Sequence, residues 1–283
     1  MPRYKLTVAY DGTDFHGWQK QCARDGRRSP GAAETDPTDG GPLRTVQGVL
    51  EEAAGSVARE PVDVLGASRT DTGVHAVGQV AAFTCQRTFE PDRLWAALNA
   101  RLPDDVRVRR VHLVDEGFFP VTEAIAKGYR YRIAHSSGLA STRPLFGRST
   151  TFWTARNLDP VRMNEAARHL MGVHDFASFT RLHHSRRSTV RTVYNCLVAA
   201  TSRHRLRIEI SGDGFLHNMV RIIAGTLVDV GRGKIEPEAI DDIIAATDRR
   251  AAGPTLPPQG LCLMWVKLSR AGPACESCTS QPA

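Results

Sequence analysis

The amino-acid sequence predicts an α+β fold in which antiparallel sheets are flanked by helices. The chain has 283 residues, more than the roughly 100 to 200 of one domain, so two linked domains are expected, over 1–106 and 107–270. Short segments alternate apolar and polar residues with the period of a strand, and others repeat apolar residues with the period of a helix. Because the two kinds of segment do not alternate strictly, antiparallel sheets are favoured over a parallel one.

The N-terminal half opens with a strand over 4–10, whose apolar residues fall on one face. An amphipathic helix is predicted over 45–58, where Thr45 can cap the N-terminus. Further apolar segments predict strands at 61–66, 79–84, 105–113 and 128–134.

The C-terminal half begins with a helix over 159–171. Asp159 is placed to cap it, Pro160 occupies its first turn, and Gly172 follows its end. The remaining segments predict a hairpin of strands at 191–200 and 204–211, helices at 215–230 and 237–247, and a strand at 261–268.

Two stretches lack any periodicity. Residues 22–43 are rich in Gly, Pro, Asp and Arg, which predicts a disordered insertion, and residues 271–283 read as a disordered, solvated tail. The tail holds Cys275 and Cys278 as a lone C-x-x-C pair with no second pair of ligands nearby, so no metal site is predicted.

Composition narrows the classes of partner. The chain carries 37 Lys and Arg against 30 Asp and Glu, a net charge of +7, which favours a polyanion such as nucleic acid, although mildly basic proteins without such partners are common. The N-terminus lacks the apolar block of a signal peptide, and no apolar stretch is long enough for a bilayer span. A cytoplasmic protein without a membrane partner is therefore expected.

Residues 66–76 lie between two predicted strands and are too polar for a core. In extended chain Arg69 and Asp71 face the same side, so a cation and a carboxylate would point into one cleft. A neighbouring guanidinium favours the ionised carboxylate, which suits a nucleophile or a base. The alternative is an ion pair that only braces a loop.

Segment 66–76, which contains Arg-Thr-Asp-x-Gly-Val-His-Ala, occurs together with other blocks along the chain. These blocks are 10–19, 98–103, 128–132, 174–179, 214–221 and 257–261. In order and spacing they resemble the tRNA pseudouridine synthase A family over nearly the whole chain.

The resemblance assigns roles to four residues. Asp71 matches the essential aspartate, Arg221 its basic partner, Tyr129 the tyrosine that stacks on the target base, and Arg69 an arginine that helps extrude that base. It also implies a homodimer that binds tRNA, two domains like RNA-recognition modules (a ferredoxin-like fold) with the catalytic cleft between them, and modification of uridines 38, 39 and 40 in the anticodon stem-loop. No DNA partner is expected.

The implied reaction breaks the bond between N1 of uracil and the sugar and rejoins the base through C5. Nothing is oxidised, reduced or lost, so no cofactor and no metal is expected. Asp71 is assigned as the nucleophile, and the residues alone leave open whether the carboxylate adds to the sugar, adds to the base or removes a sugar proton.

The chain departs from the family pattern at two positions. Ser68 stands where the family usually has Gly. Val121 ends the run Phe118-Phe119-Pro120-Val121, where the family usually has Phe-His-Ala-Arg. Val121 cannot contact a phosphate or a carboxylate, so RNA affinity is expected to be weaker unless another arginine substitutes.

Other interpretations of these residues remain open at this point. Tyr129 could be a half-buried strand tyrosine and Arg221 a surface charge on a helix. His75 and His217 are interpreted as structural histidines. A track of phosphate contacts could be formed by Lys127, Arg130, Arg132, Arg181, Arg186, Arg187 and Arg191.

Two rival functions are a non-catalytic RNA-binding protein on the same fold and a pseudouridine synthase for a different RNA. The first would not need Asp71. Nucleotide hydrolysis is disfavoured because Gly231-Arg232-Gly233-Lys234 lacks the spacing of a phosphate-binding loop.

Overall fold

The computed structural model describes residues 1–20, 43–136, 143–180 and 188–269. The predicted insertion, apart from Leu43, lies outside the described residues, and so does the predicted tail with Cys275 and Cys278. Within the described part of the chain, no helix is both long and apolar enough to cross a membrane.

Helices and strands are mixed along the chain, as predicted. The first half contains β1 (Arg3–Tyr10), α1 (Val46–Ala58), β2 (Leu65–Gly66), β3 (His75–Thr84), α2 (Pro91–Asn99), β4 (Val106–Val114), α3 (Pro120–Glu123) and β5 (Ala124–His135). The second half contains β6 (Phe152–Thr154), α4 (Pro160–His169), β7 (Gly172–Asp175), β8 (Val190–Ser202), β9 (Arg205–Gly212), α5 (Met219–Gly231), α6 (Ala239–Ala245) and β10 (Leu261–Leu268).

The described strands form one ten-stranded sheet with the order β4-β1-β3-β10-β5-β9-β8-β7, to which β2 adds beside β3 and β6 beside β5. The pairs are antiparallel except β3 with β10 and β5 with β6. The predicted class, a mixed fold with a mostly antiparallel sheet flanked by helices, is confirmed. The division into domains at residue 106 stays a prediction.

The last strand of the described chain lies in the middle of the sheet. β10 pairs with β3 on one side, through Cys262 and Leu263, and with β5 on the other side along most of its length. β10 therefore joins the strands of the N-terminal half to those of the C-terminal half.

The core explains the alternation seen in β1. Tyr4, Leu6, Val8 and Tyr10 are buried in one cluster with apolar residues of α1, α4 and α5. Nearly every residue of α5 is buried. A Cβ at Gly225 in this helix would lie 1.8 Å from the carbonyl oxygen of Pro254. This close approach fixes α5, and with it the residues at its N-terminus, against the segment that leads into β10.

Two local predictions were wrong. The strand expected at 61–66 pairs only at Leu65–Gly66, because the backbone of Val64 bonds instead to side chains of α1, Gln47 and Glu51. The helix expected from 215 begins at Met219, since Asn218 adopts a left-handed conformation with φ of 62°.

Helix α2 was not predicted from the sequence. Only two of its residues, Leu94 and Leu98, are buried. Because only these two residues, one helical turn apart, face the core, the sequence of α2 shows little helical periodicity.

Candidate active site

The described residues enclose a cavity of about 530 Å³ at the junction of the two halves. Its walls come from the segment after β2, from β5, and from the turn that leads into α5. The cavity is lined by all four residues to which the resemblance assigned roles, Arg69, Asp71, Tyr129 and Arg221. The structure thus brings together residues that lie up to 152 positions apart in the chain.

The segment that carries Asp71 is held from the inside of the fold. Thr70 is buried, and its Oγ1 lies 2.7 Å from the hydroxyl of Tyr10 at the end of β1. The backbone N–H of Trp18 donates to the carbonyl oxygen of Thr70 at 3.0 Å. Asp71 therefore follows directly on a residue that is fixed at both its side chain and its backbone.

Gly17 allows segment 10–19 to pack closely against segment 66–76. Its φ is +91°, a conformation that favours glycine, and a Cβ at this position would lie 2.8 Å from the carbonyl oxygen of Thr70. His75 strengthens the same junction, because its Nδ1 accepts from the N–H of Gly12 at 3.0 Å. His75 is 6% exposed and acts structurally, as predicted.

Asp71 faces two cationic or potentially cationic side chains. Its Oδ2 lies 3.6 Å from Nη1 of Arg221 and its Oδ1 3.7 Å from Nε2 of His217. The side chain of Asp71 is 37% exposed, so the carboxylate is open to the cavity. Because the dielectric constant in a partly buried site is lower than in water, the carboxylate attracts a nearby cation more strongly there than it would in solution.

The ion pair that the residue pattern suggested between Arg69 and Asp71 is not formed among the described residues. The alternation itself holds, because Ser68 and Thr70 are buried while the side chain of Asp71 is 37% exposed. Arg69 is exposed. The partner of the carboxylate comes instead from α5, which local sequence spacing could not indicate.

Arg221 is held by hydrogen bonds on both sides of its guanidinium. Nε donates to the carbonyl oxygen of Leu256 at 2.7 Å, and Nη1 donates to Oδ1 of Asn218 at 2.7 Å. The side chain is only 17% exposed. The left-handed backbone of Asn218 ends the preceding turn, so the late start of α5 also sets the position of this arginine.

Tyr129 forms another wall of the cavity. Its ring meets Phe215 edge to face, with centroids 5.3 Å apart, and its hydroxyl lies 3.1 Å from Oγ of Ser68. Burial raises the pKa of Tyr129 to about 12, so the phenol is neutral at physiological pH.

His217, interpreted from the sequence as a structural histidine, is not buried in the structure. Its side chain is 52% exposed, lines the cavity and faces Asp71. The signal that could have identified it is its place in segment 214–221, four residues before Arg221.

The structure also shows where Val121 and several residues of the predicted phosphate track lie. Val121 lines the cavity and is 52% exposed. From the predicted phosphate track, Lys127 lines the cavity and its Nζ donates to the carbonyl oxygen of Ala67 at 3.0 Å. Arg130 is paired with Glu209 at 2.6 Å. Arg181, Arg186 and Arg187 lie outside the described residues.

A mixed α/β fold with a carboxylate, an arginine and a tyrosine around one cavity fits an enzyme, and comparison with known proteins identifies which kind. A family model described as tRNA pseudouridine synthase matches residues 6–121 and 166–268. These segments contain Arg69, Asp71 and Arg221, while Tyr129 lies between them. The chain therefore belongs to the tRNA pseudouridine synthase family, and it is an isomerase.

Individual relatives agree with the family match. The tRNA pseudouridine synthase A of Acetivibrio thermocellus is 39% identical over 266 residues, which cover 94% of this chain and 99% of the relative. Proteins with the same name from Bacillus subtilis and Agrobacterium fabrum are 39% and 38% identical over 264 and 269 residues. They cover 92% and 94% of this chain, and 97% and 92% of their own lengths.

Proposed function

We propose that this protein converts uridine to pseudouridine at positions 38, 39 and 40 in the anticodon stem-loop of tRNA, with Asp71 as the nucleophile. The observation that carries the proposal is a carboxylate at the wall of a cavity, 3.6 Å from a fixed arginine, in a chain of the tRNA pseudouridine synthase family. The predicted substrate class agrees with the names of the relatives.

The target uridine must first leave the base stack. Extruding a base costs roughly a few kcal/mol, and stacking on an aromatic ring returns about 1 to 3 kcal/mol. Tyr129 offers such a ring at the wall of the cavity. Arg69 is exposed at the same cavity and is suited to occupy the place that the base has left.

The chemical step then needs one carboxylate. Asp71 attacks C1′ of the ribose, and the bond to N1 of uracil breaks with its electron pair going to the base. The uracil turns, its C5 forms a bond to C1′, the carboxylate leaves, and the proton on C5 is lost while N1 gains one. Arg221 stabilises the negative charge that returns to the carboxylate as it leaves in the last step. Addition to the base and removal of a sugar proton would use the same carboxylate.

The wider assembly is proposed on the resemblance. It consists of two domains, 1–106 and 107–270, that resemble RNA-recognition modules and face each other across the cavity, in a cytoplasmic homodimer that binds tRNA. The central position of β10 is compatible with this division, because strands of both halves adjoin it.

The test of the proposed function is release of tritium from a tRNA transcript labelled at C5 of uracil. Formation of the new bond at C5 must expel that hydrogen, so release is expected in proportion to the modified sites. The matched control is a transcript with cytidine at positions 38, 39 and 40, which should release none. No release from folded protein that binds tRNA would overturn the proposal and favour a binding protein.

Replacing Val121 by arginine is expected to tighten tRNA binding. Val121 is half-exposed at the cavity, so a longer cationic side chain can reach a phosphate without crowding the core. Affinity falls as salt concentration rises, and one added phosphate contact should make the slope of log affinity against log salt concentration steeper by about 0.7 to 0.9. Binding measured at several salt concentrations checks this, with Val121→Gln as the uncharged control. An equal slope for both variants would contradict the expected contact.

A further inference from the structure

Two buried hydroxyls meet beside the cavity. Oγ of Ser68 and the hydroxyl of Tyr129 are 3.1 Å apart, and the two residues are 6% and 7% exposed. Among the described residues, this is the one side-chain hydrogen bond that either hydroxyl makes. A buried hydroxyl that loses its partner costs about 1 to 3 kcal/mol, so the pair is strongly favoured.

The backbone of Ser68 is held by a buried glutamine. Gln79 on β3 is fully buried. Its Oε1 accepts from the N–H groups of Ser68 and Val80 at 3.3 and 3.2 Å, and its Nε2 donates to the carbonyl oxygen of Ser68. The backbone hydrogen bonds between the two segments end one residue before Ser68, where the N–H of Ala67 donates to the carbonyl oxygen of Val80 at 2.8 Å. The Gln79 amide therefore continues the pairing of the two segments beyond the strand and keeps Ser68 in place.

The tyrosine ring is thus fixed at two points. Phe215 contacts it edge to face, and Ser68 holds its hydroxyl end. Asp71 is three residues beyond Ser68, and Thr70 between them is tied to Tyr10. The ring and the carboxylate are therefore positioned by the same short segment. A displacement of about 1 Å in such an arrangement can slow a reaction by about 10²-fold.

We propose that Ser68 is a positioning residue, which acts through the hydroxyl of Tyr129 to hold the tyrosine ring in register with Asp71. This inference depends on the proposed function. Ser68 stands where the family usually has glycine, so this chain has a hydroxyl contact that glycine could not supply.

Replacing Ser68 by alanine is expected to lower kcat by about 10-fold, because the tyrosine ring loses one of its two fixed points. KM for tRNA should change by less than about 2-fold, since phosphate contacts supply most of the affinity for the RNA. A role limited to stability would instead lower the melting temperature and leave kcat of the folded enzyme unchanged.

The decisive experiment is a double-mutant cycle on the single-turnover rate of tritium release. Ser68→Ala and Tyr129→Phe remove the same hydrogen bond, so each is expected to slow the reaction and the double variant to be no slower than the slower single variant. Independent effects that multiply in the double variant would overturn the inference. An unchanged rate in Ser68→Ala would do the same.

Ser178→Ala is the matched control. Ser178 is fully buried, and its Oγ has no hydrogen-bond partner in the described part of the chain. The Ser178→Ala variant should therefore release tritium at the same rate as the protein without substitutions. If Ser68→Ala does not fold, Ser68→Cys takes its place. The thiol is a weaker donor of similar size, and a smaller rate loss is expected.

If the protein without substitutions releases no tritium, the proposed function and this inference both fail. Independent effects in an active enzyme overturn the inference alone.

Discussion

Replacing Asp71 by asparagine is expected to lower the rate of tritium release by about 10⁴-fold or more, because removal of the nucleophile from a catalytic unit typically costs about 10⁴ to 10⁶ in rate. Asparagine has almost the same shape but cannot form a covalent bond to the sugar or accept its proton. The side chain of Asp71 is 37% exposed, so the fold should survive the exchange. Binding of tRNA should stay close to that of the unmodified protein.

The matched control for this exchange is Asp63→Asn. Asp63 is exposed and does not line the cavity, and this variant should keep full activity. Tritium release and tRNA binding are measured on the same preparations. Full activity in Asp71→Asn would rule out the proposed mechanism. Retained binding without release would separate an enzyme from an RNA-binding protein that has no need of this carboxylate.

Arg221→Met is expected to lower kcat by about 10²- to 10³-fold, the usual loss when one fixed donor is removed from a charged transition state. The carboxylate of Asp71 would lose the cation 3.6 Å away, and the carbonyl oxygen of Leu256 would lose its donor. Arg221→Lys keeps the charge. A single ammonium cannot reproduce the two hydrogen bonds of the guanidinium, so it should recover only part of the rate.

These arginine variants need a control for charge and for folding. Arg250→Lys supplies it, because Arg250 is 88% exposed, pairs with the neighbouring Asp248 and does not line the cavity. Steady-state kinetics and thermal melts are compared across the three variants. If kcat of Arg221→Met stays within about threefold of the unmodified enzyme, Arg221 is a structural residue of α5 and the proposed role is wrong.

Local signals in the sequence were sufficient for the main helices. Thr45 was predicted to cap α1, and its side chain accepts from the N–H of Gly48 at 3.2 Å. Asp159 likewise caps α4 by accepting from Val161 and Arg162. Such caps act over a few residues, and so they can be read from the chain. The order of strands in the sheet depends on contacts between distant segments, which explains why no pattern indicated that β10 lies between β3 and β5.

The same distinction applies to the site. Segment 66–76 could be recognised as too polar for a core, and its residue pattern suggested Arg69 as the partner of Asp71. Among the described residues, the arginine that pairs with Asp71 is Arg221, which the resemblance had suggested. The contact of His217 with Asp71 and the link from Gln79 through Ser68 to Tyr129 join segments far apart in the chain. The spacing of residues within one segment indicates neither contact, because both require the tertiary fold.

Because β10 lies in the middle of the sheet, the sheet and the cavity can be completed only late in the synthesis of the described chain. Asp71 lies just before β3 and Tyr129 lies on β5, and β10 pairs with both of these strands. A growing chain that ends before residue 261 leaves the edges of β3 and β5 without this partner, and the cavity lacks Leu261. We therefore expect the chain to gain its activity only after β10 has been synthesised. Until then, two unpaired strand edges need protection from aggregation.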